Sequence, residues 1–109
     1  MAKTDGDQVV YLVRARTLGL IKIGVASDLR TRMANLQVGS PDQLDLVGVI
    51  RASNARDKEM ELHGWFRKQW SHGEWFRPCR ALEQLIADNS LADHQRWQCE
   101  QLRGLVEPD

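Results

Sequence analysis

Five side chains in this 109-residue sequence are of types that could do chemistry together: Tyr11, Lys22, Arg32, Glu59 and His63. Tyr11 lies in the run VVYLV and Lys22 in LIKIGV, both rich in β-branched and apolar residues. Side chains alternate across a strand, so Val9, Tyr11 and Val13 share one face of the first, and Leu20, Lys22 and Gly24 one face of the second. If those faces correspond, a phenol, an ammonium and a bare glycine backbone lie together. Arg32 follows in a helical pattern, one position before Met33 and three after Leu29, where it flanks the apolar stripe. A phenol and two cations converging on one surface can receive a phosphodiester. Taken singly each has a plainer use, since strand tyrosines pack and lysines or arginines solvate a face.

The carboxylate comes from a second helical pattern, ARDKEMELHGWFRKQW, which Ser53 or Asn54 can cap and Asp57 suits at the first turn. At about 100° per residue, Ala55, Glu59, Leu62, Phe66 and Trp70 fall on one narrow stripe, while Glu61 points nearly the opposite way. Burying Glu59 unpaired would cost several kcal/mol, so it needs a cation or a metal. His63 stands one turn later on the same side. The plain alternative is that Glu59 pairs with Arg32 to support the fold; Glu61 is the other carboxylate to weigh, against its helical phase.

The elements that must position these groups follow from period and punctuation. A hairpin spans the two strands, with a loop between Arg14 and Gly19. Ser27 or Asp28 caps a first helix that ends near Gly39-Ser40-Pro41. Leu44 to Ala52 reads as a third strand with Leu44, Leu46, Gly48 and Ile50 on one side, and both sides mostly apolar. The second helix runs to Trp70, and Glu74-Trp75-Phe76 makes a short edge strand or packed turn. A third helix opens at Arg77-Pro78 with Leu82, Leu85 and Ile86 inward. Trp65, Trp70 and Trp75 are expected mainly as core anchors, with base stacking the lesser role. Together these give an α/β (α+β) domain, a three-stranded, mostly antiparallel sheet flanked by helices. The expected division is a frayed 1–8, a domain over 9–90, and a C-terminal helix and acidic tail over 91–109. Leu91, Trp97 and Leu102 of that last helix could clasp the domain or a second copy, making a homo-oligomer.

Composition narrows the function classes. Hydrophobic content of 42% and charged content of 28% exclude a disordered chain. No apolar run reaches the length of a membrane span or signal core, so the expectation is a cytoplasmic protein with no membrane partner. Cys79 and Cys99 make no disulfide framework. His63, His72, Cys79, His94 and Cys99 lack the paired spacings of structural zinc. There is no glycine-rich phosphate loop and no serine or cysteine elbow. Net charge is zero, yet it divides into +4 for Met1 to Leu82 and −4 from Glu83 onward. A mildly basic body with an acidic tail can bind a polyanion weakly and with strong salt dependence.

The residues also resemble a family. Val9-Val10-Tyr11 and Lys22-Ile23-Gly24 are similar to the two signature motifs of the GIY-YIG endonuclease superfamily. The catalytic arginine of that family follows the second motif's glycine by eight positions, which here is Arg32. Glu59-x-x-x-His63 followed by Gly73-Glu74-Trp75-Phe76 resembles the later motif of a phage and bacterial branch, in which Lys22 stands for the second motif's tyrosine. The first motif departs by lacking its glycine. The resemblance implies metal-dependent phosphodiester hydrolysis of nucleic acid, DNA more than RNA, with Glu59 holding one Mg²⁺ or Mn²⁺. Arg32 would stabilise the phosphoryl charge, and Tyr11 would orient or deprotonate the attacking water, helped by a cation that Lys22 is placed to be, though Lys22 could instead contact phosphate. His63 would shuttle a proton or support Glu59, and Arg14 and Arg30 would join Lys22 and Arg32 in contacting nucleic acid. The rival expectations are a non-catalytic nucleic-acid-binding module, motivated by Lys22 and the missing glycine, and a protein-interaction domain, motivated by the near-neutral charge.

Overall fold

The computed structural model describes residues 8–90. The hairpin forms as its pattern requires. β1 (Val9–Ala15) and β2 (Ile21–Ala26) pair antiparallel, with Tyr11 opposite Gly24 and Val13 opposite Lys22. The faces therefore correspond, and the phenol, ammonium and glycine share one side of the sheet. The connecting turn closes through the Gly19 N–H to the Ala15 carbonyl at 2.8 Å, with Gly19 at φ 77°. α1 (Leu29–Val38) starts at Asp28, whose carboxylate accepts from the Thr31 N–H at 3.1 Å, and stops at Gly39.

β3 (Leu44–Ile50) pairs antiparallel with the other side of β1. The register shifts between Leu12 and Val13, so Val47 is the extra residue of a bulge. That corrects the simple alternation expected of this strand. Leu44 and Leu46 pack beside Tyr11, whereas Ile50 and Val47 pack with the opposite core. One inserted residue moves the rest of the strand to the other face.

α2 (Ala55–Trp65) is capped by Asn54, which accepts from the Asp57 N–H at 3.1 Å. It ends five residues before Trp70. A 3-10 turn (Arg67–Gln69) follows, then β4 (Trp70–His72), β5 (Trp75–Phe76) and α3 (Arg80–Asp88). The sheet among the described residues thus has five strands in the order β3-β1-β2-β5-β4, all antiparallel, not three. The helical stripe drawn through Trp70 is wrong for a specific reason. Gly73 adopts φ 53° and reverses the chain, so Trp70 pairs across a tight turn with Phe76 instead of extending the helix.

The sheet separates two cores. On one side Val10, Leu12, Ile21 and Ile23 meet Ala55, Leu62 and Phe66 of α2 and Leu82 and Ile86 of α3. On the other, Tyr11, Val13 and Ala26 meet Met33 of α1. Trp65 and Trp70 are 62% and 52% exposed, which corrects their expected role as core anchors. Among the described residues no helix is long and apolar enough to cross a membrane. The expected last helix and acidic tail, with Trp97 and Cys99, lie outside the described residues.

Candidate active site

The open edge of β2 is the place where the two faces of the sheet meet. β5 covers β2 only at Ile21 and Lys22, and the Ile23 N–H then donates to the Glu74 carbonyl at 3.0 Å. The N–H and C=O of one residue point to the same edge, and so do those of its second neighbour. Ile23 and Val25 therefore present their carbonyls together on the side away from β1, about 6.7 Å apart by strand rise. Each receives a side chain from a different helix. Arg32 of α1 donates from Nη1 to the Val25 carbonyl at 3.2 Å. The His63 Nε2 of α2 lies 2.9 Å from the Ile23 carbonyl.

Both contacts have chemical consequences. A carbonyl only accepts, so His63 carries a proton on Nε2, and Nδ1 is the ring nitrogen left to meet another partner. Its ring is further fixed by edge-on packing against Phe76, with centroids 4.9 Å apart. Arg32 Nη1 also donates to the Tyr11 hydroxyl at 3.3 Å. The phenol oxygen accepts there, so its own proton is free to donate. Tyr11 is fully buried on β1, and its hydroxyl runs across Gly24. A Cβ at position 24 would overlap it.

Beside His63 stand two carboxylates. Ligand atoms of Glu59, His63 and Glu74 all lie within 4.8 Å of one another. Burial, then the hydrogen bond and charge of Glu74, holds the Glu59 carboxyl above its usual range. Burial also pushes Glu74 upward, but the hydrogen bond and charge of Lys22 outweigh it and leave Glu74 below the usual range. Lys22 Nζ is 3.0 Å from Glu74 Oε1 and 5.6 Å from the Trp75 ring centroid. The residues fit a divalent cation. Two carboxylates crowded enough to raise one of them, beside an imidazole whose other nitrogen is fixed on a carbonyl, form a mixed oxygen and nitrogen donor set. Such a set suits Mn²⁺ at least as well as Mg²⁺, which prefers oxygen alone.

The structure brings together most of the residues singled out in the sequence, though not on one face. Tyr11 and Lys22 project toward the α1 side, while Glu59 and His63 come from the helix packed on the other side, and they meet around the β2 edge. Arg32 and Glu59 form no ion pair among the described residues, because Arg32 is turned to Tyr11 and Val25. The cation beside the phenol is Arg32, whereas Lys22 is engaged by Glu74. Arg14 lies with Ile21 on the other face and donates to both oxygens of Glu83, at 2.6 and 3.1 Å. Arg30 is exposed on α1. Glu61 pairs with Lys58 at 2.9 Å, away from the cluster. Glu74 is the residue that sequence reasoning passed over. Its sign was an acid standing directly before the apolar pair Trp75-Phe76, in a segment short enough to pair beside Lys22.

The model of the T5orf172 domain matches residues 8–97. The chain belongs to the T5orf172 domain family. The family is one of nuclease-like phage domains, and the matched span takes in every described element from β1 to α3. No curated protein and no solved structure matches the chain. Membership of the T5orf172 family is compatible with a nuclease or nucleic-acid-related role for the chain.

Proposed function

We propose that this T5orf172 protein is a metal-dependent endonuclease of the GIY-YIG type that hydrolyses phosphodiester bonds of nucleic acid, DNA in preference to RNA. The observation that carries the reading is the mooring of Arg32 and His63 on neighbouring carbonyls of one open strand edge. Arg32 brings the Tyr11 hydroxyl with it, and His63 stands beside Glu59 and Glu74.

A phosphodiester lying along that edge would meet the guanidinium of Arg32 on its non-bridging oxygens, where charge grows as the bond breaks. The Tyr11 hydroxyl, already accepting from Arg32, would hold the attacking water in line, and the water's proton would pass to a non-bridging phosphate oxygen as the new P–O bond forms and the old one breaks. Glu59, His63 and Glu74 would hold the divalent ion, which supplies Lewis-acid polarisation of the phosphate and a counter-charge for the leaving oxygen. Lys22 keeps Glu74 ionised and oriented, and so prepares it as a ligand. A second reading, a binding module without catalysis, draws on Lys22, which fills the position of the second motif's tyrosine and is spent on Glu74.

A panel of plasmid, single-stranded and branched DNA and of RNA, each with Mn²⁺, Mg²⁺ or chelator, tests the reading. Metal-dependent cleavage by the wild-type chain, lost in Arg32→Ala and Glu59→Gln, is the expected result. Absence of cleavage on every substrate with both metals would overturn it in favour of the binding module.

A further inference from the structure

A second group of side chains suited to bases and phosphates stands on the turn that follows α2. Trp65 enters this turn and Trp70 leaves it, and both indoles are more than half exposed, at 62% and 52%. Arg67 and Lys68 lie between them and are exposed. Arg77, also exposed, donates its backbone N–H to the Gln69 carbonyl at 2.7 Å, which brings the main chain of a third basic residue beside the turn. The one acid between Trp65 and Arg77 is Glu74, and its carboxylate is held by Lys22. The turn is therefore aromatic and cationic.

Neither indole is loose. Trp70 donates its ring N–H to the Gly73 carbonyl at 2.9 Å, which lays it across the turn between β4 and β5. Trp65 carries the Lys58 ammonium 5.2 Å from its ring centroid. Large apolar groups left exposed in this way mark contact surfaces, and rings held in place lose little freedom on binding. The position matters as well. Trp65 follows His63 by two residues on α2, about 200° further round the helix, and Trp70 shares a hairpin with Glu74, so the two groups stand on the same elements with different outlooks.

We infer that the segment from Trp65 to Trp70 receives a single-stranded stretch of the nucleic-acid substrate. Unpaired bases stack on the two indoles, and phosphates are met by Arg67, Lys68 and Arg77. The inference rests on the nucleic-acid reading of the edge cluster and extends it by naming an unpaired substrate segment. Bases in a duplex hide their faces, whereas a single strand offers one at every nucleotide. The three cations match the charge of such a strand, and the stacking is indifferent to sequence.

The test is fluorescence polarisation of a labelled single-stranded oligonucleotide titrated with the full chain in chelator. A second probe has the same length and phosphates but abasic sugars. Because both indoles are exposed, Trp65→Ala and Trp70→Ala should fold. Each should weaken binding of the base-bearing strand about tenfold and leave the abasic strand bound as by wild type. Arg67→Ala with Lys68→Ala should weaken both probes alike and reduce the salt slope by roughly 1.4, two phosphates' worth. If the tryptophan variants bind both probes as wild type while Arg32→Ala weakens them, the turn is no contact surface and the edge site alone remains. If wild type is a dimer that the tryptophan variants split, the indoles serve a second copy and the inference falls. If wild type binds no nucleic acid of any kind, the nucleic-acid reading falls and takes this inference with it.

Discussion

The Tyr11 hydroxyl fills the space that a side chain on Gly24 would need. The two residues face each other across the first hairpin, and the phenol reaches Arg32 only because position 24 has no Cβ. Gly24→Ala should push the ring aside and break the Tyr11–Arg32 contact. The expected outcome is a folded protein, destabilised by about 1–3 kcal/mol from overpacking, with cleavage lost. Thermal melts and a cleavage assay on the same preparation check it. Full activity in a folded variant would show that the hydroxyl has no part in the reaction.

Glu59 and Glu74 crowd one another, so replacing one should relieve the other. Glu59→Gln is expected to lower cleavage by about 10²–10³-fold, while DNA binding in chelator is unchanged or tighter, because one charge that repels phosphate is gone. The melting temperature in chelator should hold, since Glu59 forms no ion pair among the described residues and the one arginine charge acting on it, Arg56, is exposed to solvent. A large fall in melting temperature would show a structural role instead. Activity surviving here but lost in Glu61→Gln would mean that the ligand is the other carboxylate.

Metal affinity should depend on pH through the same pair. Glu59 keeps its proton above the usual carboxylate range, and an ion must displace that proton. Mn²⁺ binding followed by calorimetry should therefore strengthen as pH rises through the raised range and weaken below it, with proton release in between. In Glu59→Gln the pH dependence should flatten together with a loss of affinity. Wild-type affinity that is flat across this range would remove Glu59 from the ligand set.

Acid stability should be governed by three lowered carboxyls, Glu74 beside Lys22 and, away from the edge cluster, Asp42 and Glu83. Asp42 is lowered mainly by the Leu18 N–H and also by the Thr17 N–H, and Glu83 is lowered by Arg14. A carboxylate whose folded pKa lies below its unfolded value, ordinarily 3.8 for Asp and 4.5 for Glu, contributes stability that is present above that value. It is lost as pH falls through the folded value. Melting temperature should thus be steady from neutral pH to about 5 and fall below. Asp42→Asn should lower the plateau and make the acid limb shallower; an unchanged acid limb would contradict the assignment.

Much of this arrangement was already written in the sequence. Alternation in VVYLV and LIKIGV fixed which side chains share a face, and the hairpin register followed, putting Tyr11 beside Gly24. The caps Asp28 and Asn54 and the stop at Gly39 are local hydrogen-bonding and backbone matters, so they too were legible. Tertiary structure decided what depends on partners distant in the chain. Helical periodicity ran on through Trp70, but pairing with Phe76 drew that residue into a strand and exposed it. The bulge at Val47 arose from pairing with β1, which no period within β3 could reveal. Glu74 acquired its place only when β5 docked on β2 beside Lys22 and α2 laid Glu59 and His63 against the same edge. Local propensity acts over a few residues, whereas a site assembled on a strand's open edge depends on which elements stop short of covering it.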